Sequence, residues 1–207
     1  MNTHAFLSFI SNNYDFSRAN IILSELNLTH CWKHWLTAEL IHLLNTDKQF
    51  SDIQTNTRYP AKSSNNNDQE SYLRYQVEKP IEKVHKKNLA SYCDFSFKHQ
   101  EKQHYFEIIC ANSTSFKKNK DLIKFEADIT RIDTLKKQNP SVCISTIFAF
   151  FGTFTNDEVK IFAPFDNSKR CSYVLDSNIK GSSSIARLTQ IQRAGDPRLC
   201  FAMYNAS

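Results

Sequence analysis

With 207 residues, 41% hydrophobic and 23% charged, the chain has the composition of an ordinary globular protein and the length for one well-cored domain. No apolar run approaches the roughly 20 residues of a membrane-spanning helix, and no basic region followed by an apolar block opens the chain, so a cytoplasmic protein without membrane contact is expected. The net charge of +5 is mild, but thirteen of the 26 lysines and arginines fall between Lys79 and Lys137, an excess that suits either a polyanionic partner or a solvated basic face.

A first helix is expected over part of Arg18–Leu26. In THCWKHWLTAELIHLLN the apolar residues Trp32, Trp35, Leu36, Leu40, Leu43 and Leu44 recur at three- and four-residue spacing, which marks one helix face, with Thr29 as N-cap. The polar, turn-rich TRYPAKSSNNNDQES reads as a surface loop over residues 60–71. Strand-like SYLRYQV and basic EKVHKKN follow, then two strands, SYCDFSF and HYFEIICAN, joined by KHQEKQ, a polar connection of hairpin length. KKNKDLIKFEADITRIDTLKKQN places Leu122, Phe125, Ile129, Ile132 and Leu135 at helical spacing, predicting a helix from about Lys117 to Gln138 with Pro140 beyond its end. SVCISTIFAFF is nearly continuous in apolar and β-branched residues, the pattern of a strand buried on both faces. EVKIFAPF, CSYVLD and LCFAMYN add three strands. This order predicts a single α/β domain over residues 1–207, a central mixed sheet flanked by helices, with a core at about 28–152 and additional strands in 153–207.

Several chemistries are excluded. The three glycines form no phosphate-cradling loop, which removes P-loop and dinucleotide-binding readings. The six cysteines contain no CxxC pair and read as reduced core residues. His30 and His34 have a spacing that can hold zinc, but no third ligand stands near them, and they read as helix surface. Ser182–Ser184 lack the G-x-S-x-G context of a serine hydrolase.

Two acids remain conspicuous. Asp94 and Glu107 each stand in the middle of an apolar strand, where a lone charge costs several kcal/mol unless something compensates it. If the hairpin turns near Glu101, Asp94 falls across from Glu107 or Ile108, and like charges so placed repel. Pairing with lysine or arginine would relieve the repulsion. So would a divalent cation, since carboxylate oxygens are the ligands Mg²⁺ prefers.

A helix with a glutamate, an aspartate on one strand, a glutamate on the next, then an amphipathic helix and a buried strand resembles the PD-(D/E)XK nuclease superfamily, whose fold is that of many restriction endonucleases. The resemblance covers roughly residues 30–152. It implies a restriction-endonuclease-like fold in which Glu39 is the helix acid, Asp94 the motif aspartate and Glu107 the acid of the E-x-K element. Asp94 and Glu107 would then hold Mg²⁺ or Mn²⁺. Two departures stand out: Cys93 replaces the proline before the aspartate, and Ile109 occupies the place of the lysine. Lys98, Lys117, Lys118, Lys120 and Lys124 are the candidates to supply the missing amine.

The resemblance implies a metal-dependent nuclease cleaving phosphodiester bonds, with double-stranded DNA as partner, in a restriction, defence or toxin-like role. The loss of the lysine equally fits an inactive nuclease-fold protein that binds nucleic acid or a protein partner. An immunity-type interaction module and a homodimer also stay open.

Overall fold

The computed structural model describes residues 1–25, 32–60, 92–112, 120–153, 171–176, 185–187 and 196–206. Among them are four helices, α1 (Thr3–Asn13), α2 (Phe16–Glu25), α3 (Trp32–Asn45) and α4 (Lys120–Gln138). The strands are β1 (Ser51–Thr55), β2 (Phe95–His99), β3 (Lys102–Asn112), β4 (Cys143–Gly152), β5 (Cys171–Asp176), β6 (Ile185–Arg187) and β7 (Arg198–Asn205).

The strands form one mixed sheet in the order β1-β2-β3-β4-β7-β5-β6. Only β3 and β4 pair in parallel; every other neighbouring pair is antiparallel. Parallel neighbours cannot be joined by a tight turn, and α4 lies in the connection between these two. The chain is α/β, as its element order predicts.

Side-chain alternation along the strands divides the core into two layers. Phe95, Phe97, Phe106, Ile108, Ile147, Ala149, Phe201 and Met203 meet the apolar faces of α1, α2 and α3. Tyr105, Ile109, Ala111, Ile144, Phe148, Phe150 and Tyr204 meet Phe125, Ile132 and Leu135 of α4. The Phe125 and Phe148 rings approach to 4.9 Å between centroids. β4, covered on both sides, is buried along most of its length, which accounts for its nearly unbroken apolar sequence.

The β2–β3 hairpin closes through Gln100 and Glu101, both at positive φ (48° and 60°), between paired His99 and Lys102. Two left-handed residues in a two-residue loop are what a type I′ turn needs, although glycine or asparagine usually supplies them. This turn sets the register on which the two acids depend.

The predicted helix at Arg18–Leu26 corresponds to α2, and the tryptophan-rich helix to α3. The predicted helix from Lys117 corresponds to α4, whose described residues begin at Lys120; Ile129 there is only partly buried. CSYVLD and LCFAMYN correspond to β5 and β7. Three elements have no counterpart in the sequence reading: α1, β1 and the short β6. α1 is capped by Asn2, whose Oδ1 accepts from the Ala5 N–H at 2.8 Å, and it buries Phe6, Leu7, Phe9 and Ile10. β1 pairs with β2 on the side away from β3. Thr29, His30, the loop beyond residue 60, SYLRYQV, EKVHKKN, Lys117, Lys118 and EVKIFAPF lie outside the described residues, as does the side chain of Leu122. Among the described residues, no helix is long and apolar enough to cross a membrane.

Candidate functional site

Asp94 sits at a bend one residue ahead of β2, rather than in the middle of a strand as its neighbours suggest. Asp94, just ahead of the Phe95↔Phe106 pair, donates its N–H to the Phe106 carbonyl at 2.9 Å, which breaks the regular ladder and holds Asp94 beside Phe106 and Glu107 of β3. Both oxygens of Asp94 are engaged. Oδ2 accepts the Ile108 N–H at 2.6 Å, taking the place of a carbonyl in the ladder, and Oδ1 lies 2.8 Å from Lys33 Nζ on α3. The bend exists because the side chain, not the main chain, satisfies that β3 amide.

Glu107 faces α4, since its neighbours Phe106 and Ile108 belong to the opposite core layer. Its Oε1 accepts the Tyr59 hydroxyl at 2.6 Å and meets Arg131 Nη2 of α4 at 2.7 Å. Arg131 also reaches Asp128 one helical turn earlier, at 3.0 Å. The Glu107 side chain is 8% exposed and that of Arg131 14%. Burial pushes the Glu107 carboxyl up to about 7, against the opposing pull of Arg131 and the Tyr59 hydrogen bond. Burial would lower Arg131, but Glu107, Asp128 and Tyr59 more than offset it and raise it. Burial raises Asp128 as well, with Arg131 and Lys33 opposing and Asp94 adding to the rise. Three carboxylates therefore converge on two cations, leaving one formal negative charge.

The Glu107 shift has a measurable consequence. A carboxyl whose folded pKa lies above its unfolded value of about 4.5 contributes stability that is complete below that value and is lost as pH rises through about 7. His104, lowered to about 4 chiefly by burial, contributes in the opposite direction over about pH 4 to 6.5. The test is therefore a difference: Glu107→Gln should gain stability relative to the unmodified protein as pH rises from about 5 to 7.5. Parallel stability profiles from urea denaturation would contradict the assignment.

Asp94 and Glu107 stand on neighbouring segments of the sheet, but Asp94 is bonded to α3 through Lys33 and Glu107 to α4 through Arg131, and Glu39 lies apart from both sets of bonds. Glu39 is held bidentately by Arg18 of α2, at 2.7 and 3.0 Å. Lys33 and Glu39 share α3, but six residues separate them by about 9 Å along the axis and about 240° around it. Lys98 pairs with Asp52 and stands four strand residues from Asp94, about 13 Å away. The side chains of Lys120 and Lys124 lie outside the described residues, as do Lys117 and Lys118. Within the basic stretch, Lys136 bonds the carbonyls of Pro140 and Val142, and Arg131 serves the buried acids, so both act inside the fold.

Lys33, Tyr59, Asp128 and Arg131 were not foreseen. Only the last two left a signal: an acid and a base at i and i+3, on a helix whose apolar stripe runs beside them. Lys33 merely follows Trp32, and Tyr59 arrives from a connection with no pattern.

The donor set suits a hard divalent cation in chemistry, because carboxylate oxygens and residual negative charge are what Mg²⁺ selects, and one or two carboxylates suffice when water and phosphate complete the shell. Thr146, beside Glu107 in the β3–β4 register, has a buried hydroxyl with no hydrogen-bond partner, the kind of group an ordered water satisfies. Among the described residues, no three His, Cys, Asp or Glu side chains gather into a metal-binding group. Comparison of the chain with known protein families, curated proteins and solved structures finds no match.

Proposed function

We propose that the protein is a metal-dependent nuclease of the PD-(D/E)XK type acting on nucleic acid. The observation that carries this reading is the Lys33 amine held 2.8 Å from Asp94, with Glu107 close by on the adjoining strand β3, next to the Ile108 amide that Asp94 accepts from. The order α3, β2, β3, α4, β4 also follows the helix, two neighbouring strands, helix and strand of the resemblance, with β1 in addition. Asp94 and Glu107 would hold Mg²⁺ or Mn²⁺, which when bound polarises the scissile phosphate and lowers the pKa of a water.

The chain's own groups do the rest. Lys33 takes the part of the lysine absent at Ile109: released from Asp94, its half-exposed ammonium neutralises charge developing on a phosphate oxygen. Arg131 and Tyr59 keep Glu107 from climbing above about 7, so a good share of it stays ionised near neutral pH. Asp128 aims Arg131 at Glu107.

The test is cleavage of plasmid DNA and single-stranded substrates with Mg²⁺ or Mn²⁺. Asp94→Asn keeps an oxygen for the Ile108 amide and removes the ligand charge. It should fold normally and lose cleavage by about 10³-fold or more, whereas Asp94→Ala should also lose stability by about 1–3 kcal/mol. Cleavage by Asp94→Asn at the unmodified rate would remove the reading.

A second reading has its own observation. Both Asp94 oxygens and Glu107 Oε1 are already bonded within the protein. A site closed on its own cations suits a non-catalytic nuclease-fold module that binds nucleic acid or a protein. Absence of cleavage over a wide set of DNA and RNA substrates, with nucleic-acid binding retained, selects it.

A further inference from the structure

The β1–β2 pairing continues past β1 through the Asn56 N–H to the Asp94 carbonyl, the Cys93 N–H to the Thr57 carbonyl, and an isolated bridge between Arg58 and Tyr92. This extension carries the rim of the charge cluster. Tyr59, next to Arg58, bonds Glu107; Asp94 lies two residues beyond Tyr92. Along it Cys93 is buried while Tyr92 is 46% exposed.

An aromatic side chain so open is unusual here: among the described residues only Ile21 and Ile123 are comparable large apolar groups at the surface. The ring is also held in place. Arg58 Nε donates to the Tyr92 hydroxyl at 2.7 Å, and the guanidinium carbon is 5.4 Å from the ring centroid. A half-exposed ring held on one face by a guanidinium lying over it, two residues from an acid–lysine pair, offers its other face and a cation to an unpaired nucleobase and its phosphate. A base inside a duplex has no free face to offer such a ring.

We propose that Tyr92, oriented by Arg58, is a stacking platform for an unpaired nucleobase, and that the substrate reaches the site as a single strand or a frayed end. The proposal rests on the nucleic-acid reading above and narrows its substrate class. Stacking onto Tyr92 would set one nucleotide beside Asp94 and Lys33 whatever its sequence, because every base has a π-face.

The experiment is fluorescence anisotropy of the full chain with a labelled mixed-sequence single strand and with its duplex, in chelator so that binding is read without cleavage. Tyr92→Ala should weaken single-strand affinity about tenfold and leave duplex affinity within about twofold. Tyr92→Phe and Tyr92→Trp, which keep the ring, should stay near the unmodified value. Unchanged single-strand affinity in Tyr92→Ala, an equal loss on single strand and duplex, or a loss in Tyr92→Phe as large as in Tyr92→Ala would overturn the platform. If the unmodified protein cleaves or binds nucleic acid while Tyr92→Ala matches it, only the platform falls. If the unmodified protein binds neither strand form, the platform and the nucleic-acid reading fall together.

Discussion

Replacing Arg131 with methionine is expected to destabilise the fold by about 3–5 kcal/mol near pH 8, because it strands a buried carboxylate without its cation. Methionine keeps much of the packing volume, so the loss isolates charge rather than cavity. Glu107 can escape part of the penalty by taking a proton, and burial already holds its pKa at about 7. The cost should therefore shrink toward pH 5, where the carboxyl is neutral with or without Arg131. Asp128, less buried than Glu107, loses the same partner at a smaller cost. Urea denaturation at the two pH values measures this. A cost below about 1 kcal/mol at pH 8 would mean that the pair is solvated. Adding Glu107→Gln should recover most of the loss, as expected for neighbours whose energies do not add.

The second large effect concerns Lys33. Its amine is 40% exposed, so its ion pair with Asp94 adds little to stability, and Lys33→Ala should change unfolding by less than about 1 kcal/mol. Cleavage, in contrast, should fall by about 10²–10³-fold, the usual consequence of removing one group that stabilises charge in a transition state. Lys33→Arg should recover only part, since a planar guanidinium does not replace a compact ammonium at a point contact. A Lys33→Ala protein that cleaves at the unmodified rate would assign the catalytic cation elsewhere.

The sequence exposed the elements that bury a face and concealed those that do not. α3, α4, β4 and β7 pack apolar side chains at regular spacing, and their patterns read directly. α1 is the exception: it buries Phe6, Leu7, Phe9 and Ile10, a pattern as regular as theirs, yet it is absent from the predicted elements. β1 had almost none: of Ser51–Thr55 only Ile53 is partly buried, as suits an edge strand. Its bulge and the positive φ of Asp52 disturb the alternation further.

For the site, the placing of Asp94 and Glu107 on neighbouring segments was legible because a short hairpin leaves little choice of register, but strand parity fails at Asp94, whose neighbours Cys93 and Phe95 fall in different core layers. The partners were not. A salt bridge from α3 or α4 depends on how each helix lies against the sheet, and no local pattern states that. Glu39 drew attention as an acid beside the inward residue Leu40, but Arg18 of α2 claims it. Ile109, where the resemblance expects a lysine, is buried in the layer under α4. An ammonium there would lie in that apolar layer rather than in solvent; the amine described beside Asp94 is that of Lys33 on α3.

The two bonds of Asp94 tie one residue to two different selective pressures. A lineage released from any need for chemistry would still keep an oxygen acceptor at position 94, because a buried amide left without one costs about 1–3 kcal/mol. Lys33 has no comparable duty in folding. Drift at Lys33 with an acid or amide retained at 94 would thus mark descendants kept only as a scaffold. Retention of both is what the proposed phosphodiester chemistry requires of its descendants.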